Sequence, residues 1–143
     1  MTVHIIKLFV GLDTLPDLAA WQTQRLEDMK RNNRTPELVH VTRNTPRRAD
    51  EVLDGGSLYW VIKGWISARQ KLLELRPMMR DGAAHCGLVY HTDLITVQPR
   101  PRRAFQGWRY FDPKDAPPDI GKWSAVTDLP DGLRRELTFL GLL

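Results

Sequence analysis

Four arginines fall within PRPRRAFQGWRY, residues 99–110: Arg100, Arg102, Arg103 and Arg109, interleaved with Phe105, Trp108 and Tyr110 and with no carboxylate. A guanidinium presents a planar fork of donors that grips phosphate bidentately and stacks on flat rings. Aromatic side chains add platforms on which bases stack without regard to sequence. On a strand, Phe105, Gly107, Arg109 and Phe111 share one face, and Gln106, Trp108 and Tyr110 share the other. The combination points to a surface for an anionic partner, with RNA the leading candidate. The plainer alternative is a strand that buries one aromatic pair, with Arg100, Arg102 and Arg103 solvating a Pro-rich bend.

A second basic stretch, TRNTPRR, holds Arg43, Arg47 and Arg48. Pro46, Arg47 and Arg48 fall at the start of an expected helix, where backbone N–H groups favour anions and bare arginines oppose the dipole. A bound phosphate would resolve that misfit. Pairing with Asp50 or Glu51 would resolve it equally well. In DGGSLYWVIKG the paired glycines allow a tight turn or a close backbone approach. No GK[ST] follows and the next element is a strand, so this is not a Walker-type phosphate loop. Lys63 and Trp65 flank Gly64, and with Trp60 and Arg69 they are candidates to line a cleft, although core packing is the commoner use of tryptophan.

Groups with catalytic potential are sparse. His40-Val41-Thr42 fits half of a twin His-x-Thr phosphoesterase pattern, in which one histidine acts as base and the other as acid. The second half is missing, because His91-Thr92-Asp93 lacks the threonine. His85, Cys86 and His91 are too few for a zinc site. On a strand Cys86 shares a face with Leu88 and Tyr90, as a small buried side chain would. The carboxylates Glu27-Asp28, Asp50-Glu51 and Asp112/Asp115 form no acid–base pair. No catalytic residue, metal ligand set or cofactor is assigned.

Hydrophobic periodicity supplies the framework that must position these groups. Val3–Val10 reads as a strand. Thr14, Pro16 and Asp17 then start a helix to about Lys30, with Leu15, Leu18, Ala19, Leu26 and Met29 on one face. Leu38–Arg43 alternates as a second strand, and TPRRADEVLDGG reads as a short helix. Leu58–Ile62 is a third strand, closed by Lys63-Gly64. The spacing of Ile66, Arg69, Leu72, Leu73 and Arg76 predicts a helix over Trp65–Leu75, ended by Pro77. Asp81-Gly82 is a turn. His85–Tyr90 and Leu94–Val97 are expected to form a hairpin, and PRPRR to interrupt the sheet before Phe105–Phe111 resumes it. DPKDAPPDIG reads as turn. Leu129–Leu140 is a last helix, with Asp128 as its cap and a terminal GLL that either docks on the sheet or forms a dimer face.

The expectation is one α+β domain over residues 1–143, with a mixed, mostly antiparallel sheet packed by two long helices and a C-terminal one. Two architectures fit: a ferredoxin-like core carrying extra strands, or a small mixed barrel. At 143 residues, 42% hydrophobic and 27% charged, the chain has the composition of a globular domain with a core of its own. No apolar run approaches the ~18 residues of a membrane-spanning helix. The single cysteine suits a reducing, cytoplasmic setting. A net charge of +4 is a mild tilt toward anionic partners.

HIIKLFVG, TRNTPRRADEVLDGGSLYWVIKG, the following ARQ and RPRRAFQGWRYFDPKDAPPD together resemble a bacterial family, domain of unknown function 1489, over roughly residues 3–140. The resemblance implies that the chain is one unit and carries over no catalytic residue. In style alone, YWVIKG and the late basic-aromatic strand resemble small PUA and ASCH barrels, modules that often bind RNA. Three functions follow as expectations. The first is a binding module for RNA or another polyanion, with Arg100, Arg102, Arg103 and Arg109 on phosphates, Trp108, Tyr110 and Trp60 stacking, and Arg47, Arg48 and Lys63 extending the patch. The second is an enzyme acting on a phosphorylated small molecule or nucleotide near Lys63, His40 and Arg43. The third is a protein-interaction subunit with Trp108 and Tyr110 as hot spots.

Overall fold

A computed structural model describes residues 1–143. The strands are β1 (His4–Leu8), β2 (Leu38–Thr42), β3 (Ser57–Ile62), β4 (Trp65–Arg80), β5 (Ala83–Tyr90), β6 (Ile95–Pro101), β7 (Trp108–Phe111) and β8 (Asp119–Lys122). The helices are α1 (Leu15–Arg31), α2 (Ala49–Val52) and α3 (Asp131–Phe139). The fold is α+β, and its eight strands form one mixed sheet in the order β2-β5-β4-β3-β1-β7, with β6 pairing β4 and β8. Only β1 and β3 run parallel, joined by a crossover that contains α1, β2 and α2. Every other pairing is antiparallel.

The helix expected over Trp65–Leu75 is instead the first part of β4, a strand of 16 residues. Two-residue turns bracket it. Lys63-Gly64 has φ of 50° and 82° and joins the paired residues Ile62 and Trp65. Asp81-Gly82 has φ of 52° and 77° and joins Arg80 and Ala83. Positive φ at both positions is the turn whose twist matches a hairpin, and glycine at the second position suits it. The first part of β4 lies between β3 and β6, and the rest pairs with β5 alone. Pro77, which offers no N–H, falls in that one-sided part, where a ladder bond is least missed.

Loss of the second helix removes the split βαβ needed for a ferredoxin-like core. Nor is there a closed barrel, because β2 and β7 are both edge strands. The expected β5–β6 hairpin is absent as well. β5 and β6 do not pair with each other; both lie on the side of β4 away from β3, β5 along Leu72–Arg80 and β6 along Trp65–Arg69. β6 itself runs on to Pro101, so Arg100 and Pro101 are in the sheet, and β7 begins only at Trp108. The Pro-rich turn after β7 gives way to the short exposed strand β8. Helix α3 starts after Pro130, and Asp128 instead accepts a hydrogen bond from the Ser124 hydroxyl at 2.7 Å.

Both faces of the sheet are packed. The larger core gathers Ile5, Leu58, Trp60, Ala68, Leu72 and Leu88 against Leu15 and Leu18 of α1 and Leu133 and Leu137 of α3. Thr14 caps α1 by accepting the Asp17 N–H at 3.2 Å. The terminal GLL docks: Leu142 is fully buried, and its carbonyl accepts the Leu15 N–H at 2.8 Å. The smaller core, on the opposite face, joins Ile6, Tyr59, Val61, Ile66, Val97 and Phe111, with Phe105 packed on it. One polar network lies inside the larger core. Gln22 of α1 and Gln70 of β4 exchange amide hydrogen bonds of 2.9 and 2.8 Å, and the Trp60 indole donates to Gln70 at 2.9 Å. No helix is long and apolar enough to cross a membrane.

Candidate functional site

The alternation expected at the end of PRPRRAFQGWRY holds in β7, and it separates the arginines from the larger aromatics. Arg109 and Phe111 lie on the face of the smaller core, opposite Ile6 and His4 of β1. Trp108 and Tyr110 lie on the face of the larger core and are half-buried against it. The two rings meet edge to face, 4.9 Å between centroids. The Trp108 indole donates to the Asn44 carbonyl at 3.0 Å, and the Tyr110 hydroxyl accepts the Arg48 N–H at 3.0 Å. Asn44 lies just beyond β2, so these side chains tie one edge of the open sheet to the other. Trp60, the third proposed stacker, is 1% exposed and closed to any base.

The arginines of the second face form a group of their own. Residues 102–107 pass from β6 to β7 over the smaller core. The guanidinium carbons of Arg102 and Arg109 each lie over the Phe105 ring, 5.3 and 5.4 Å from its centroid. Arg102 also lies 5.8 Å from the Phe111 ring. Arg100 donates to the Asp115 carbonyl at 2.6 Å, and Arg109 to the Gln106 and Trp108 carbonyls at 2.6 and 3.0 Å. Arg103 is exposed. The arginines that carry ion pairs are Arg31, Arg48, Arg69, Arg76 and Arg134. None of the four in PRPRRAFQGWRY is among them, so their charge is not cancelled by a carboxylate contact. On the same face Arg69 is cancelled, by a two-pronged pair with Asp119 at 2.7 and 2.6 Å.

The remaining basic residues do not extend this group. Arg48 stacks 5.2 Å from the Tyr110 ring and is held by Glu51 at 2.6 and 2.9 Å, which resolves its place at the α2 terminus without a phosphate. Arg47 is exposed beside it. Lys63 occupies its turn and donates to the Gly141 carbonyl at 3.2 Å. The close approach allowed by the glycine pair is to backbone and not to a ligand. A Cβ on Gly56 would sit 2.2 Å from the Val52 carbonyl oxygen and 2.5 Å from that of Val3.

The histidines separate as well. The His91 Nδ1 accepts the Asp93 N–H at 2.9 Å. Cys86 is buried, and burial pushes its thiol up. His40 lines a recess of about 450 Å³ between the end of β1 and the edge strand β2, together with Lys7, Phe9, Trp21 and Trp60. Neither Lys63 nor Arg43 reaches it. Burial, then the charges of Lys7 and Arg80, pulls the His40 pKa to about 4, so the ring is neutral near pH 7. Burial likewise pulls Lys7 below the usual lysine range. The sequence reading passed over Lys7. Its signal was a lone cation on the Ile5 side of an otherwise apolar run.

Comparison with curated proteins and with solved structures finds no match. The family model described as "Protein of unknown function (DUF1489)" matches residues 5–143. The segments that carried the resemblance therefore belong to one structure, in which GGSLYWVIKG is β3 with its flanking turns and FQGWRY leads into β7. The chain belongs to the family of domain of unknown function 1489.

Proposed function

We propose that this protein binds RNA through the arginine-bearing face of its sheet. The observation that carries this reading is the group Arg100, Arg102, Arg103 and Arg109, gathered by β6, β7 and the segment between them, with no carboxylate partner. Cation–π contact with Phe105 holds the Arg102 and Arg109 guanidiniums in place while most of their donors stay free for phosphate oxygens. Trp108 and Tyr110 have no role in this contact, since they bridge the sheet edges on the other face. Recognition is then dominated by the RNA backbone and is largely indifferent to sequence.

The test is fluorescence anisotropy of a labelled mixed-sequence RNA at low and near-physiological salt. The wild-type protein should bind with a steep salt dependence. Arg102→Ala with Arg103→Ala should bind more weakly, its log–log salt slope flattened by about 0.7 for each phosphate contact removed. Absence of binding at low salt would overturn the proposal. Unchanged affinity and slope in the double variant would overturn the site.

A further inference from the structure

The recess between β1 and β2 combines features that packing alone does not require. Lys7 enters it from β1, on the strand face it shares with Ile5, and is paired across the ladder with Trp60 and Trp108. His40 enters from β2, its ring 5.8 Å from Trp60 at 88°. Phe9 stands edge-on to both Trp60 and Trp21, at 5.1 and 5.9 Å. Trp21, on α1, is 40% exposed although it forms part of this wall. No carboxylate lines the space. The Lys7 ammonium is half-buried with no hydrogen bond or opposing charge to offset its desolvation. An unpaired ammonium in such a place costs stability, and an anion is what would satisfy it. A volume of about 450 Å³ suits a small molecule and is too small for a folded partner.

We infer that this recess is a binding site for a small flat aromatic ring carrying one anionic group, with the ring against Phe9 and Trp21 and the anion on Lys7. His40, neutral and without a hydrogen-bond partner, supplies one donor or acceptor to the polar end of the ligand. The anionic group can be a phosphate, as in a nucleoside monophosphate, or a carboxylate, as in an aromatic acid. The site opens on the face of the sheet opposite the RNA-binding arginines, and neither proposal depends on the other.

The experiment uses two matched pairs on the full chain: adenosine monophosphate against adenosine, and indole-3-acetate against indole-3-ethanol. Amide chemical shifts locate binding and calorimetry measures it. At least one anion should shift residues 7–12, Trp21 and His40, and should bind about tenfold more tightly than its neutral mate. The pair showing that preference identifies phosphate or carboxylate as the source of the charge. Lys7→Met should abolish the preference, and Trp21→Ala, on an exposed helix position, should weaken both members of the pair. Arg102→Ala with Arg103→Ala should leave these affinities unchanged. No shift of the recess amides by either anion at about 1 mM, which corresponds to about −4 kcal/mol of binding, would overturn the inference. Equal binding of charged and neutral mates, or an unaffected Trp21→Ala, would also overturn it.

Discussion

Lys7 and His40 are the two side chains whose placement costs the fold most visibly. Lys7→Met replaces a half-buried, unpaired ammonium with an apolar group of similar length and should raise stability by about 1 kcal/mol in urea unfolding. A loss of stability would mean that the ammonium has a partner in solution. For His40, the folded pKa near 4 lies below the unfolded value of about 6.5. Between those values the unfolded chain binds more protons, so stability falls as pH falls through the window and the effect levels off below it. The size is about 3 kcal/mol across the window. His40→Gln should remove this component, read as a smaller difference between urea midpoints at pH 7 and pH 4.5. A wild-type midpoint that does not move with pH would show that the ring is not buried as described. Of the sequence-level site, the arginines were legible because an acid-free cluster is a local feature. The recess was not, because its residues come from four elements and only curling of the sheet brings them together.

At the scale of elements, α1, β1, β2 and β3 could be read from local pattern, and β4 could not. Ile66, Arg69, Leu72 and Leu73 satisfy a helical period, yet the inward positions of the strand are Ala68, Gln70 and Leu72. Gln70 masks the alternation, since a buried amide looks polar in sequence. Its burial is made tolerable by Gln22, 48 residues away, and no local window contains that partner. The stronger signal was Lys63-Gly64 and Asp81-Gly82, each a hairpin dipeptide with strand residues on both sides. β8 escaped for another reason: all four of its residues are exposed, so only the edge of β6 defines it. The start of β3 yields a sharp prediction. Gly56→Ala should cost more than about 2 kcal/mol, because the added methyl meets backbone oxygens that cannot move aside as a side chain would. Gly87→Ala meets chiefly the Met78 thioether and the tip of Val39, so thermal unfolding should rank it as the milder change.

For the molecule as a whole, the open sheet behaves as a curled sheet whose two edges are joined by side chains in place of a ladder. Trp108 and Tyr110 make that joint, and their two hydrogen bonds reach the 44–48 segment. Trp108→Ala should raise hydrogen exchange in β7 and in residues 44–48 together while β3 and β4 stay protected, because the edges open before the centre does. Exchange confined to β7 would show that the joint carries no load. The mixed, mostly antiparallel α+β class followed from composition and element order. The near-closure did not, since it depends on which edges meet. β4 is held at both ends by tight turns and paired along its length with three different strands, so a residue gained or lost inside it, unless taken up at one of its bulges, would turn the side chains beyond that point to the opposite face. Among relatives the 16 positions between the two turns should therefore tolerate a change of identity more readily than a change of number. Insertions and deletions that survive selection should collect in the 32–37 and 123–130 connections instead.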